Sequence, residues 1–336
     1  RPPRSTLPLR RQRQMCIRDR LKPIEIDKAR NRTPLAEVSE EEMFRFRSLL
    51  CSLLWLTLTR EDLMADVTTL QQKMQAAVVQ DMKSCNRILL KARTTSTMNG
   101  LHFRYIKPPY RLLAIGDCGH VTSTSLYAQE GKMVRLCHDP GNCRELPEWV
   151  PALQVESEWN GHAHAIYGTS RKATRVSHST SHAEALTQLG TIQIAQLVAN
   201  RMSEPFFRQY IAKQRLTPLD ALSMQYRNWV LVPIDSLTDC MDVWELVNGK
   251  RGLANDKTQR LVILGLREYK QLGVVRIFVH CPTRLMVADG LTKGGSFDQL
   301  MRLATTGVLT FSPATKEQFF RVALSSRKNL KDRAVE

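Results

Sequence analysis

Four acidic residues carry the chemistry this sequence offers. Arg111-Leu-Leu-Ala-Ile-Gly-Asp117 is a short apolar run that stops on a carboxylate. A run of this length, bounded by turn signals, predicts a buried strand. A carboxylate at the end of a central strand is costly to bury unless something compensates it, and a metal ion is the usual compensation. Glu184, Asp239 and Asp289 stand where they could reach the same point: in the first turn of a predicted helix, at the end of a predicted strand, and beyond the last strand. Taken singly, each has a plainer explanation. Asp117 could end a strand at a turn, Glu184 could complement a helix N-terminus, Asp239 could cap the helix opening at Cys240, and Asp289 with Gly290 could make a turn. Taken together they suit a two-metal nuclease site. Phosphodiester hydrolysis needs an activated water and a stabilised leaving oxygen, and two Mg²⁺ ions, with Mn²⁺ as a substitute, supply both. Carboxylates packed this closely repel one another without cations, so the site is expected to be metal-dependent and loosely ordered when empty.

The elements that must position these groups read as follows. Residues 21–36 look like an extended linker. Ser39 with Glu42 three residues on makes a capping box before the amphipathic stretch Met43 to Thr57, and Thr59 with Asp62 repeats the device before Leu63 to Ala77. A third helix is expected from about Asp81 to Arg93, with Met82, Cys85, Ile88 and Leu89 on one face. The three could form a small bundle, and Leu49 to Leu58 could present an exposed docking face. Residues 94–111 read as a linker. A strand then starts at Leu112, followed by strands at Val121–Tyr127 and Lys132–Leu136 with Gly131 in the turn between them. Residues 138–160 read as a surface insertion, His162–Ser170 as a strand and Ser179–Arg201 as a helix. Trp229–Leu237 reads as a strand, Cys240–Val247 and Asp256–Leu272 as helices, and Val274–His280 as the last strand. Strands separated by helices imply a mixed α/β sheet. Asp235, Asp242 and Glu245 read as surface or capping groups.

The net charge is +17 over 336 residues, which favours polyanions, nucleic acid first. Residues 1–20 supply +6 of it and the remainder +11. That leader is Arg-rich and aperiodic, so residues 1–35 are expected to be a disordered basic arm and linker. The string Arg11-Gln-Arg-Gln-Met-Cys-Ile-Arg-Asp-Arg20 also resembles translated adapter read-through from transcript assembly, which would take residues 1–20 out of the functional argument. No apolar run reaches the roughly 18 to 20 residues of a membrane span, so no membrane partner is expected. The cysteines are scattered without paired spacing, which suggests free thiols in a reducing, intracellular setting. Cys137-His138 with Cys143 lacks a fourth zinc ligand at sensible spacing.

Several strings carry a family likeness. Ser170-Arg-Lys-Ala-Thr-Arg-Val-Ser-His-Ser-Thr-Ser-His-Ala-Glu184-Ala-Leu resembles the ribonuclease H segment of copia-type retrotransposon polyproteins, where a basic loop leads to an Ala-Glu pair opening a helix. Leu237-Thr-Asp239-Cys-Met-Asp-Val-Trp-Glu-Leu246 is similar to that family's third acidic motif, and Val287-Ala-Asp289-Gly-Leu-Thr-Lys293 to its fourth. Arg47 to Asp62 is similar to the segment after the reverse transcriptase palm. The likeness spans roughly residues 36–305.

The resemblance implies a ribonuclease H-like mixed sheet flanked by helices over residues 110–295. A helical thumb or connection remnant would precede it at 36–95, and a C-terminal helix and basic tail would follow at 296–336. It implies cleavage of RNA in RNA–DNA hybrids. Asp117 would bridge two ions, Glu184 and Asp239 would hold the ion near the leaving group, and Asp289 the ion that activates water. Arg171, Lys172 and Arg175 would contact substrate phosphates, against the plainer reading of a charged loop, and His280 would assist product release, against that of a structural histidine. The sequence has no Tyr-x-Asp-Asp and no adjacent Asp pair, so it is expected to be a C-terminal fragment whose palm domain, the partner of these elements, is missing. The family usually has an acidic residue where His182 stands and often a histidine where Leu285 stands. Those departures favour, mildly, an alternative in which a degenerate module binds nucleic acid without cutting it. An integrase-like nuclease acting on DNA is disfavoured by the β-β-β-α-β-α order.

Overall fold

The computed structural model describes residues 21–96, 98–119, 127–139, 160–214, 232–294 and 297–310. The first elements are helical: α1 (Lys28–Asn31), α2 (Glu40–Thr57), α3 (Met64–Gln71) and α4 (Val79–Thr94). Ser39 and Glu42 form the expected capping box at the start of α2. Phe46, Leu49, Leu50, Leu53 and Leu56 recur at helical spacing and pack against Val67, Leu70, Met82, Cys85, Ile88 and Leu89 in one apolar core. The stretch 49–58 is therefore mostly inward-facing. It is Phe44, Trp55 and Leu58 that α2 and its end leave exposed.

Two expectations for this region fail. Residues 21–35 are not all linker: Ile24 is buried in the helical core, and its backbone exchanges hydrogen bonds of 2.8 and 2.9 Å with the Asn86 side chain. Thr59 and Asp62 form no second capping box. Asp62 instead accepts two bonds of 2.8 Å from the buried Arg60 guanidinium, because a charge that far inside needs a full partner more than a helix end needs a cap.

A six-stranded sheet follows, ordered β5-β4-β1-β2-β3-β6. Its strands are β1 (Tyr110–Gly119), β2 (Gln129–His138), β3 (Gly161–Lys172), β4 (Ile234–Thr238), β5 (Val275–His280) and β6 (Val308–Leu309). β1, β2 and β3 run antiparallel as a meander, whereas β4 pairs parallel with β1 and β5 parallel with β4. The parallel pairs need crossovers. Helix α5 (Thr180–Gln214) lies between β3 and β4, and α6 (Met241–Val247) and α7 (Lys257–Gln271) lie between β4 and β5. This is the ribonuclease H-like mixed α/β architecture. The segments 1–20, 140–159 and 311–336, and the part of the expected strand at 121–126, lie outside the described residues.

β1 is buried along nearly its whole length because both faces are covered. Leu112 and Ala114 face α5, α6 and α7. Leu113 and Ile115 share a core with Cys281, Leu285, Leu291 and Leu303, the last two carried by α8 (Asp289–Thr292) and α9 (Asp298–Thr306). Gly307 ends α9 in the left-handed region at φ 70°, which turns the chain back to place β6 beside β3.

The helical unit docks on this sheet through polar as well as apolar contacts. Arg135 of β2, fully buried, pairs with Glu61. Thr68 and Ser170 share a hydrogen bond of 2.9 Å. Removing one partner of a buried ion pair strands the other charge. Glu61→Ala is therefore expected to lower unfolding free energy by about 3–5 kcal/mol, measured by urea denaturation.

Candidate metal centre

Strand register brings the first two carboxylates together. Ile115 of β1 pairs with Leu237 of β4, so Asp117 and Asp239 lie level, two residues further along parallel neighbours. Asp117 does not end its strand as expected. β1 continues to Gly119, and Asp117 pairs with Gly131 inside β2 rather than facing a turn. Gly131 has a different task from the one its type suggested. A Cβ there would lie 2.8 Å from Thr292 Cγ2, 2.9 Å from Leu291 Cβ and 3.1 Å from the Ala288 carbonyl. The missing side chain lets α8 press onto the sheet beside Asp117.

Asp289 opens α8 and completes the group: one carboxylate oxygen from each of Asp117, Asp239 and Asp289 lies within 4.8 Å of the others. Asp117 and Asp289 are buried and Asp239 half-buried. Glu184 arrives from the opposite layer, in the first turns of α5. Its Oε1 accepts from the Cys118 backbone N–H at 3.1 Å, and its Oε2 is buried with no hydrogen-bond partner. Asp239 caps nothing, since the N-cap of α6 is Cys240.

Burial, then the nearby Asp289 and Asp239, push Asp117 up to about 7. Burial, then Asp117, Asp239 and Asp289, push Glu184 upward, and burial, then Asp289, pushes Asp239 upward. Only partial compensation comes from the protein. Thr292 Oγ1 donates to Asp117 Oδ2, Thr283 hydrogen-bonds Asp239, and Lys293 Nζ lies 2.5 Å from Asp289 Oδ1. Sequence reasoning gave Thr283, Thr292 and Lys293 no role. The signal for Lys293 was its place four residues after Asp289, where a helical turn stacks side chains.

The donor set fits hard divalent cations. It is all oxygen, acidic, and includes the orphaned Glu184 Oε2, which suits Mg²⁺ or Mn²⁺ better than softer metals. Asp117, Glu184, Asp239 and Asp289 would hold such ions. The Cys137-His138 pair forms no part of this site; Cys137 is buried as a free thiol, and Cys143 lies outside the described residues.

The other predicted residues sit around this centre with partners of their own. Arg171 Nε donates to Glu130 at 3.0 Å, and Lys172 lies over the Tyr127 ring at 4.6 Å. Arg171 and Arg175 line a cleft of about 270 Å³ with Lys132, Ser177 and Thr187, next to Cys118. His280 Nε2 lies 3.0 Å from the Asp239 carbonyl, and its ring meets Trp244 edge-on. Burial lowers its pKa, so a neutral ring bracing the Asp239 backbone accounts for its position. His182 is buried and stacks on His178, and Leu285 belongs to the apolar core. Asp235, expected at the surface, is fully buried. Arg276 binds it at 2.8 and 2.5 Å and ties it to Asp139, because a carboxylate buried on an interior strand must be neutralised.

No family model and no curated protein matches the chain. Among solved structures, it is similar to the ribonuclease H1 of the halophilic archaeon Halobacterium salinarum NRC-1. That match has 12% identity, 54% of this chain and 90% of that chain covered, and a TM-score of 0.28. It is also similar to LC11-RNase H1, isolated from compost by a metagenomic approach, at 12% identity, 54% and 91% coverage, and a TM-score of 0.31. The fold assignment rests on the strand order and directions described above.

Two predictions follow from the crowding of charge. A carboxyl held above its ordinary pKa by folding favours the folded state at low pH, and that stability is lost as pH rises through the raised value. The metal-free protein is thus expected to melt at falling temperature from about pH 4 through about pH 7, where Asp117 titrates, and on toward about pH 10, where Glu184 does. Mg²⁺ should raise the melting temperature more at pH 8 than at pH 5. Gly131→Ala should push α8 off the sheet, costing about 1–3 kcal/mol of stability by urea denaturation and weakening Mn²⁺ binding by calorimetry.

Proposed function

We propose that this chain is a nuclease of ribonuclease H type that hydrolyses the RNA strand of RNA–DNA hybrids with two divalent ions. The observation that carries this reading is the meeting within 4.8 Å of Asp117 from β1, Asp239 just after β4 and Asp289 from α8, with Glu184 supplied from the other layer. When bound, the ions would lower the pKa of a water and stabilise the departing oxygen. The chain's own residues do the positioning. Thr292 fixes the Asp117 carboxylate, and the Cys118 N–H fixes Glu184, leaving its second oxygen for a ligand. Arg171 and Lys172, at the end of β3, and Arg175, on the loop leading to α5, are exposed and would take substrate phosphates. The hybrid would be recognised by its shape and 2′-hydroxyls rather than its sequence.

The sequence likeness supports an origin in a copia-type Pol polyprotein acting inside the cell. The helical unit would then be the end of a reverse transcriptase whose palm domain is the missing partner. A second reading, a module that holds the hybrid without cutting it, is favoured by the replacement of two expected polar positions by buried His182 and Leu285.

Purified protein with Mg²⁺ is expected to cut the RNA of a labelled hybrid and leave duplex DNA intact. Asp117→Asn should lower the rate by roughly 10³-fold, since metal stabilisation of the transition state is worth several kcal/mol. Hybrid binding without cleavage by the wild type would favour the second reading. Cleavage of duplex DNA at a similar rate would contradict both.

A further inference from the structure

The acidic cluster already contains a cation. Lys293 follows α8 directly, and its backbone N–H donates to the Asp289 carbonyl at 3.0 Å, which fixes its stem one turn on from the carboxylate. Its ammonium lies 2.5 Å from Asp289 Oδ1. That ammonium also feels the nearby carboxylates of Asp117 and Asp239. With Thr292 on Asp117, two consecutive residues therefore engage two of the three clustered carboxylates. The Lys293 side chain is nevertheless 46% exposed, so its four-carbon stem has solvent to move into. Helix α8 itself has no such freedom, because Gly290 and Gly131 leave it no space: a Cβ on Gly290 would lie 2.6 Å from Leu300 Cδ2.

We infer that Lys293 is a resident counter-cation of the metal centre, which occupies Asp289 in the ion-free protein and must release it before a second divalent ion is held there. A divalent ion bound through Asp289 Oδ1 would claim the oxygen that Lys293 now occupies. An ammonium and a divalent cation cannot share that oxygen without repulsion. One ion could enter between Asp117, Asp239 and Glu184 with Lys293 in place, whereas the second must displace it. The lysine thereby offsets the mutual repulsion of the carboxylates and weakens the ion at Asp289. This inference rests on the divalent-ion reading of the four carboxylates.

The test is a calorimetric Mn²⁺ titration of the full chain, with melting curves to establish folding, on the wild type, Lys293→Met and Lys293→Gln. Both variants remove the charge, and Gln keeps a polar end should Met fail to fold. The account predicts that the weaker Mn²⁺ site becomes roughly three- to fivefold tighter in either neutral variant, the size expected when a half-exposed ion pair is removed. Lys293→Arg should behave like the wild type. Mn²⁺ affinity that is unchanged or weaker in the neutral variants would overturn the inference while leaving the metal centre standing. Mn²⁺ binding by none of the proteins would overturn the metal centre itself, and the inference with it.

Discussion

Mutual repulsion among buried carboxylates is the constraint that the rest of this structure answers. Asp117, Asp239 and Asp289 are held within 4.8 Å of one another, and Glu184 reaches in beside them. Like charges at such separations oppose ionisation, and burial opposes it further. The upward shifts of Asp117, Glu184 and Asp239 are that conflict expressed as proton affinity. A fold that served only stability would not assemble such a group. Here the sheet and both covering layers converge on it.

Each layer contributes by rigid means. The parallel pairing of β1 and β4 sets Asp117 level with Asp239. The α5 layer delivers Glu184 and locks one of its oxygens onto the β1 backbone. The opposite layer delivers Asp289 on α8, which rests on Gly131 of the sheet and brings its own Gly290 against Leu300, two positions where any side chain would collide. Several buried carboxylates elsewhere among the described residues are paired with guanidinium groups. Asp235 and Asp139 share Arg276, and Asp62 is clamped by Arg60. Against those pairs, Glu184 Oε2 is a buried carboxylate oxygen without a hydrogen-bond partner beside three clustered carboxylates, which suits a cation.

Much of this was legible in the sequence because it was written in short-range signals. The Ser39–Glu42 box, the apolar periodicity of α2 and α4, and the apolar run of β1 specify their elements locally. The acidic residues were legible as a set through order and family likeness, and their convergence depends on strand register, which spacing alone does not reveal. What was misread depended on tertiary contacts. Gly131 reads as a turn residue, yet its role is set by α8, some 160 residues later in the chain. Asp235 and Asp62 read as surface or capping groups, but Arg276 and Arg60 draw them inside. The Ile24 segment reads as linker because nothing local shows that Asn86 will bind its backbone.

The most direct measurement is anomalous diffraction at the manganese edge from crystals soaked in Mn²⁺. The account predicts peaks at the centre, with Asp117 ligating at about 2–2.2 Å and sharing its ions with Glu184, Asp239 and Asp289. Ordered crystals with no manganese peak at Asp117, or with manganese bound only elsewhere, would contradict it.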